Sequence, residues 1–167
     1  NNKNTAPKIL DIGTGSGCIA ITLAKNIACS KVTALDISVD ALAVAKQNAI
    51  KNGVKIDFLN ANILEDIEID GVPYDIIVSN PPYVRELEKQ QMNSNVTDFE
   101  PHLALFVRDN DPLLFYRTIS LNANKWLNSG GQLYFEINEA FGVEVMELLA
   151  GIGFKDIEIR KDINGKN

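Results

Sequence analysis

Asn80-Pro81-Pro82-Tyr83 follows directly on the apolar run Ile76-Ile77-Val78. Two consecutive prolines fix φ and remove two backbone N–H groups, so the chain is held rigid and open where a buried strand ends. Asn80 supplies an acceptor oxygen, Pro81 a carbonyl that no helix or ladder claims, and Tyr83 a flat ring. The set suits a planar group carrying an NH2. Both hydrogens can be accepted while the π face stacks, which leaves the nitrogen lone pair directed at an electrophile.

A second cluster could hold that electrophile. Asp11-Ile12-Gly13-Thr14-Gly15-Ser16-Gly17 lies between a predicted strand and a predicted helix, where ligands bind in open α/β sheets. Its glycines let a ligand approach the backbone at a helix N-terminus. Asp36 ends the second predicted strand, where a carboxylate can accept both hydroxyls of a ribose. A dinucleotide-binding pattern needs its third glycine three positions after the second; Cys18 stands there and Gly17 gives G-x-G-x-G instead, which disfavours NAD and FAD. A tight turn that binds nothing is the bland alternative.

The acid-led glycine loop together with Asp36 resembles the S-adenosylmethionine site of Rossmann-like methyltransferases. That resemblance implies that Gly13, Thr14, Gly15, Ser16, Gly17 and Asp36 hold the cofactor and that Asn62 stands near adenine N6. Ile37 and Ile63 then sandwich the adenine, or are plain core. Asn80 belongs to both the cofactor and the acceptor sets.

The elements that must position these groups read as alternating strands and helices. Strands are predicted at Lys8–Ile12, Lys31–Asp36, Val54–Leu59, Tyr74–Ser79 and Leu133–Ile137, with a sixth around Phe154–Arg160. The helix from Ser16 to about Asn26 has apolar residues at 19, 23 and 27. Ser38 caps a helix with Leu42, Ala45 and Ala49 on one side, stopped by Asn52-Gly53. Asp111-Pro112 starts a helix running through Trp126 to the breaker Ser129-Gly130-Gly131, and another spans about Glu139 to Leu149. The pattern is that of a doubly wound, mostly parallel α/β sheet. Val84–Asn110 lacks periodicity and is too long for a plain connection, so a substrate-facing insertion is expected. Asn164-Gly165 signals a turn with no strand after it, which predicts that a C-terminal strand is missing.

A chain of 167 residues fits one domain. Its net charge is −6 with Lys and Arg scattered, a poor surface for gripping a phosphate backbone, so no direct nucleic-acid substrate is expected. No apolar run is long enough to span a bilayer and no signal peptide opens the chain, so a cytoplasmic, non-membrane protein is expected. Cys18, Cys29 and the lone His102 have no metal-ligand spacing. Cys18 follows a glycine at a helix start, where a lowered thiol pKa is conceivable; the reading adopted is a small buried helix residue, with both thiols reduced and structural.

With loop, Asp36 and tetrad in one frame, the chain resembles the HemK family of protein-(glutamine-N5) methyltransferases. The resemblance extends over Ile9–Gly17, Val32–Asp36, Tyr74–Tyr83, Phe99-Glu100-Pro101, Leu103-Ala104-Leu105 and Asp162-Ile163-Asn164-Gly165-Lys166. It implies the Rossmann-like class I methyltransferase fold, S-adenosylmethionine as cofactor, and as substrate the glutamine of Gly-Gly-Gln in peptide-chain release factors. Asn80, Pro81, Pro82 and Tyr83 then carry catalysis. The tetrad alone is shared with adenine-N6 and guanine-N2 methyltransferases, the rival reading; a non-catalytic subunit with the same fold is another. The family's N-terminal helical domain has no counterpart in Asn1–Pro7, and Ile63 stands where some members have an aromatic residue. No general base is identified: Glu100 reads as a loop-fixing carboxylate before a catalytic one, and His102 as a surface histidine.

Overall fold

The computed structural model describes residues 6–82, 84–85, 106–107 and 111–160. Contacts divide the chain into two compact units, Asn1–Asn80 with Trp126–Phe135, and Pro81–Lys125 with Glu136–Asn167.

The first unit is a five-stranded sheet. Its strands are β1 (Lys8–Ile12), β2 (Lys31–Asp36), β3 (Asp57–Asn60), β4 (Tyr74–Ser79) and, last in chain order, β7 (Leu127–Phe135). They lie in the order β3-β2-β1-β4-β7 and every pair is parallel. Parallel neighbours need crossovers, and helices α1 (Cys18–Asn26) and α2 (Val39–Asn52) supply the first two. Ile9, Val32, Ala34, Phe58 and Ile76 on one face of the sheet pack with Ala20, Ile21, Leu23 and Ala24 of α1 and Ala49 of α2. Their alternates Leu10, Ile12, Leu35 and Ile77 are buried as well, the two-sided burial of a doubly wound sheet.

Helix α2 begins and ends as its sequence dictates. The Ser38 hydroxyl accepts the Ala41 N–H at 3.1 Å, Leu42, Ala45 and Ala49 face the core, and Gly53 closes the helix in the left-handed region. In α1 the fully buried residues are Ala20 and Ile21; Ile19, Leu23 and Ile27, the face expected from spacing, are half-buried. A helix of nine residues lying against two strands presents a broad side, so neighbours of the expected stripe go deepest.

The second unit contains β5 (Val84–Arg85) paired in parallel with β6 (Phe106–Val107), and the helices α3 (Leu114–Trp126) and α4 (Gly142–Ile152), the latter preceded by a 3₁₀ turn at Glu139–Phe141. Arg117 forms a bidentate pair with Asp111, both N···O distances 3.0 Å, which ties the first turn of α3 to the Asp111-Pro112 start. That pairing holds the Asp111 carboxyl below its ordinary range, the Arg117 hydrogen bond being the main cause.

Four expectations fail. Strand β3 starts at Asp57, not Val54, and α1 at Cys18, not Ser16. Ser129-Gly130-Gly131 does not break the chain: β7 already pairs Leu127 with Tyr74, and the extra residues are absorbed by a register shift before Gln132 meets Ile76. Residues 154–160 form no ladder among the described residues, because a strand exists only against a partner edge and none is paired with this segment. The expected C-terminal turn at Asn164-Gly165 lies outside the described residues, as does nearly all of the 84–110 insertion.

Candidate active site

Strand register assembles the site. Ile12 is opposite Leu35 on one side and Ser79 on the other, and Asp36 is opposite Asn60. One step on, Gly13, Asp36, Asn60 and Asn80 therefore stand in a row at the carboxyl edge. The row straddles β1 and β4, where successive crossovers leave in opposite directions, the crevice in which open α/β sheets bind ligands.

The glycine loop is fastened from below. The N–H groups of Gly13 and Thr14 both donate to the Leu35 carbonyl, at 2.8 and 3.0 Å. Asp36 accepts the Gly15 N–H on Oδ2 at 2.8 Å and the Ser38 N–H on Oδ1 at 2.9 Å. Each of its oxygens retains a lone pair, so the carboxylate both ties the loop and can accept a hydroxyl. Gly15 has φ +55 with nothing within 4 Å of where a Cβ would stand, an open approach to the backbone. Gly17 needs its missing side chain for the opposite reason: a Cβ there would meet the Ala45 Cβ at 3.1 Å, and φ is +85. Ser16 is exposed; its hydroxyl is 3.2 Å from the Cys18 thiol, and its carbonyl accepts from Asn48 Nδ2 at 3.0 Å.

Cys18 is exposed, not buried as expected, and so is Cys29; both are free thiols. The first residue of α1 faces outward because the helix buries its next turn, at Ala20 and Ile21.

The two isoleucines separate. Ile37 is 55% exposed and Ile63 only 7%, so Ile37 is open to a ligand and Ile63 is core. Asn62 is engaged locally: its Nδ2 donates to Glu65 at 2.9 Å and its Oδ1 accepts the Leu64 N–H at 3.1 Å. A turn closed this way keeps one donor hydrogen and one lone pair on Asn62.

Asn80 is exposed, and among the described residues nothing is bonded to its side chain. Pro81 is buried and Pro82 half-buried; Tyr83, Glu100 and His102 lie outside the described residues.

Sequence reasoning missed three residues as members of the site. Ser79, fully buried, donates its hydroxyl to the Ile12 carbonyl at 2.7 Å, stapling β4 to β1 one residue before Asn80. Asn60 Nδ2 donates to the Asp36 and Ile37 carbonyls at 3.0 and 2.8 Å and so shapes the turn that carries Ile37. Asp11 is fully buried; its Oδ2 accepts from the Thr14 hydroxyl at 2.7 Å and the Ala20 N–H at 3.1 Å, while Oδ1 has no partner. Burial pushes its carboxyl up to about 6; the Thr14 and Ala20 bonds oppose this, and the Asp36 charge adds to it. Its place at the head of the glycine pattern was the available signal.

The sequence model of the methyltransferase small domain matches residues 1–99. The chain belongs to the methyltransferase small domain family. Within that family's reach, it is 56% identical over 160 residues to a release factor glutamine methyltransferase of Flavobacterium psychrophilum, covering 96% of this chain and 56% of the relative. A protein of the same name from Bacteroides thetaiotaomicron is 49% identical over 162 residues, covering 97% and 58%. The chain thus spans little more than half the length of the curated relatives it matches. Among solved structures, a methyltransferase from Pyrococcus furiosus superposes with a TM-score of 0.69 at 20% identity, covering 95% of this chain and 70% of that one. The fold is therefore the Rossmann-like class I methyltransferase fold.

The residues present fit an S-adenosyl group. The spare lone pairs of Asp36 suit a ribose diol, Ile37 offers an exposed apolar face for a purine ring, and the space over Gly15 admits close backbone contact. No Lys, Arg or His side chain pairs with Asp11 or Asp36 among the described residues, so nothing there opposes a ligand of net positive charge.

Proposed function

We propose that this chain carries S-adenosylmethionine-dependent methyl transfer to the side-chain amide N5 of the glutamine in the Gly-Gly-Gln motif of peptide-chain release factors. The observation that carries the reading is the Asn80 amide, without a partner among the described residues and one strand away from the glycine loop in the same register row. The name shared by relatives at 56% and 49% identity supports glutamine as the bearer of the NH2.

The cofactor, when bound, supplies an electrophilic methyl on a sulfonium. Asp36 accepts the ribose hydroxyls without releasing the loop, and Ile37 covers the adenine from the open side while Ile63 supports the turn from the core. Asn62 contributes its one remaining donor and acceptor near the adenine edge. Gly13, Thr14, Gly15, Ser16 and Gly17 present the backbone to the methionine end.

An amide nitrogen is a poor nucleophile because its lone pair is delocalised into the carbonyl, so placement must lower most of the barrier. Asn80 Oδ1 and the Pro81 carbonyl each accept one amide hydrogen, which gathers lone-pair density on the side facing the methyl. Tyr83 stacks on the amide plane, and Pro82 keeps the backbone rigid between them. The cationic N-methylated amide formed on transfer is acidic enough to give its extra proton to water, so no general base is required. A release factor as partner implies a cytoplasmic reaction, with neither membrane nor nucleic acid as direct substrate.

The test is transfer of a radiolabelled methyl group to a purified release factor, to its Gly-Gly-Gln Gln→Ala variant and to an adenine-containing DNA duplex. Label confined to the unaltered factor is expected. Label in the duplex or in the alanine variant refutes the assignment.

A further inference from the structure

The backbone donors of the glycine loop are nearly all spent inside the fold. Gly13 and Thr14 donate to the Leu35 carbonyl, Gly15 to Asp36 Oδ2, and Gly17 to the Thr14 carbonyl at 2.9 Å. Between Gly13 and Gly17, the N–H left without a partner among the described residues is that of Ser16, an exposed residue. The peptide that carries it hangs between two anchors. Before it, Asp36 holds the Gly15 N–H; after it, Asn48 Nδ2 donates to the Ser16 carbonyl at 3.0 Å. Gly15, with φ +55 and no side chain, gives the backbone freedom to rotate there, so the aim of the Ser16 N–H depends on the second anchor.

That anchor comes from α2. Asn48 and Ala45 are three residues apart and so share one side of the helix. They meet the loop together: Ala45 stands against Gly17, and Asn48 reaches Ser16 across 32 positions of sequence. The start of α2 is fixed in turn by Asp36, whose Oδ1 accepts the Ser38 N–H at 2.9 Å. Asp36 therefore holds both the loop and the helix, and Asn48 ties the helix back to the loop. Asn60 anchors a different place: its Nδ2 bonds go to the Asp36 and Ile37 carbonyls and none goes to the loop.

We propose that Asn48 is a positioning residue for the amino-acid end of the cofactor, acting through the Ser16 backbone. The inference rests on the cofactor reading above and deepens it. A backbone N–H suits a carboxylate, which S-adenosylmethionine and S-adenosylhomocysteine both carry and a bare adenosine thioether lacks. Asn48 thus bears on one end of the ligand, and Asn60, through the turn of Ile37, on the other.

Isothermal titration calorimetry with S-adenosylhomocysteine and with 5′-methylthioadenosine, which keeps the adenosine and lacks the amino acid, separates the two ends. Asn48→Ala should weaken S-adenosylhomocysteine roughly 3- to 10-fold, the worth of one hydrogen bond, and leave methylthioadenosine within about twofold of wild type. Asn48→Asp keeps the shape but cannot donate, and should show the same contrast. Asn60→Ala should weaken both ligands by a common factor. Equal losses for the two ligands in the Asn48 variants, no loss for either, or the same contrast in Asn60→Ala overturns the inference and leaves the cofactor reading standing. Folded wild-type protein that binds neither ligand overturns both. The two affinities are compared within one protein, so a general loss of stability does not imitate the contrast, and Asn48→Asp carries the test should Asn48→Ala fail to fold.

Discussion

The glycine loop and the end of β4 lie on neighbouring strands and are built on opposite plans. In the loop, Gly13, Thr14, Gly15 and Ser16 are each held by a bond from Leu35, Asp11, Asp36 or Asn48, so its shape exists before any ligand arrives. At Asn80 the backbone is fixed by β4 and by the proline that follows, yet the side chain is left without a described partner. The difference separates two tasks. Under the proposed function, a ligand common to every turnover meets a preformed bed, while the group that would choose and orient an acceptor keeps its hydrogen-bonding capacity unspent.

Asn80→Asp should break this division most severely. The shape is retained, but the uncharged acceptor becomes a carboxylate that attracts the amide hydrogens and repels the electron density it should concentrate. Turnover should drop about 10²-fold or more, as for loss of one transition-state donor or acceptor, with the calorimetric affinity for S-adenosylmethionine largely kept. Near wild-type transfer rates would end the claim that Asn80 does chemistry.

The second effect tests the loop side through pH. Asp11 titrates at about 6 in the fold against 3.8 as a free side chain. Because the folded value is the higher one, the fold is most stable with Asp11 protonated, below about 4, and loses that increment as pH rises through about 6. The increment is about 2 to 3 kcal/mol, and Asp11→Asn should flatten this part of a chemical-denaturation stability profile. A wild-type slope unchanged in the variant would show that Asp11 is not the titrating group.

Gly17→Ala probes the bed by a purely steric route. The added methyl needs φ +85 and lies 3.1 to 3.3 Å from Ala45 and Ile21 atoms, which should lower stability by about 2 kcal/mol, or roughly 4 to 8 °C in Tm. The same change at Gly15 meets no atom within 4 Å, so it should weaken cofactor binding with a smaller stability loss.

The smallest effect sharpens the boundary between the two regions. Ser79→Ala removes the buried bond to the Ile12 carbonyl and should destabilise by about 1 kcal/mol. Turnover should fall further than cofactor affinity, because the staple sets the spacing of Asn80 from the loop and not the loop itself. Equal losses in kcat and in affinity would assign Ser79 to general stability alone.

Much of this was legible in the residues. Lys8–Ile12, Lys31–Asp36 and Tyr74–Ser79 are strands at the expected bounds because each is a short apolar run between clear stops. Ser38 and Gly53 bound α2 because capping is local chemistry. What escaped depends on three-dimensional neighbours. Ile37 and Ile63 are the same residue type, and only the path of the turn leaves one open and buries the other. Cys18 and Ala20 are both small, and which one α1 buries follows from how the short helix packs on the sheet. The expected strand near Phe154 needed a partner edge, and Ser129-Gly130-Gly131 read as a break because a register shift is invisible in one strand's sequence. Asp11 was read as part of a loop pattern, and its orphaned oxygen appears only once burial is known.

The bond from Ser79 to Ile12 joins positions 67 apart in the chain, whereas the carboxylate grip of Asp11 reaches only to Thr14 and Ala20. In polymer terms the Asp11 grip is a local loop and the Ser79 staple a long-range closure. The entropy of such a closure grows only as the logarithm of its length, about 0.6 kcal/mol for each doubling. The crossover between β3 and β4 can therefore gain or lose residues at little cost, provided Ser79 still reaches Ile12. The few residues from Asp11 to Ala20 have no such tolerance, and a single insertion there would undo the bed.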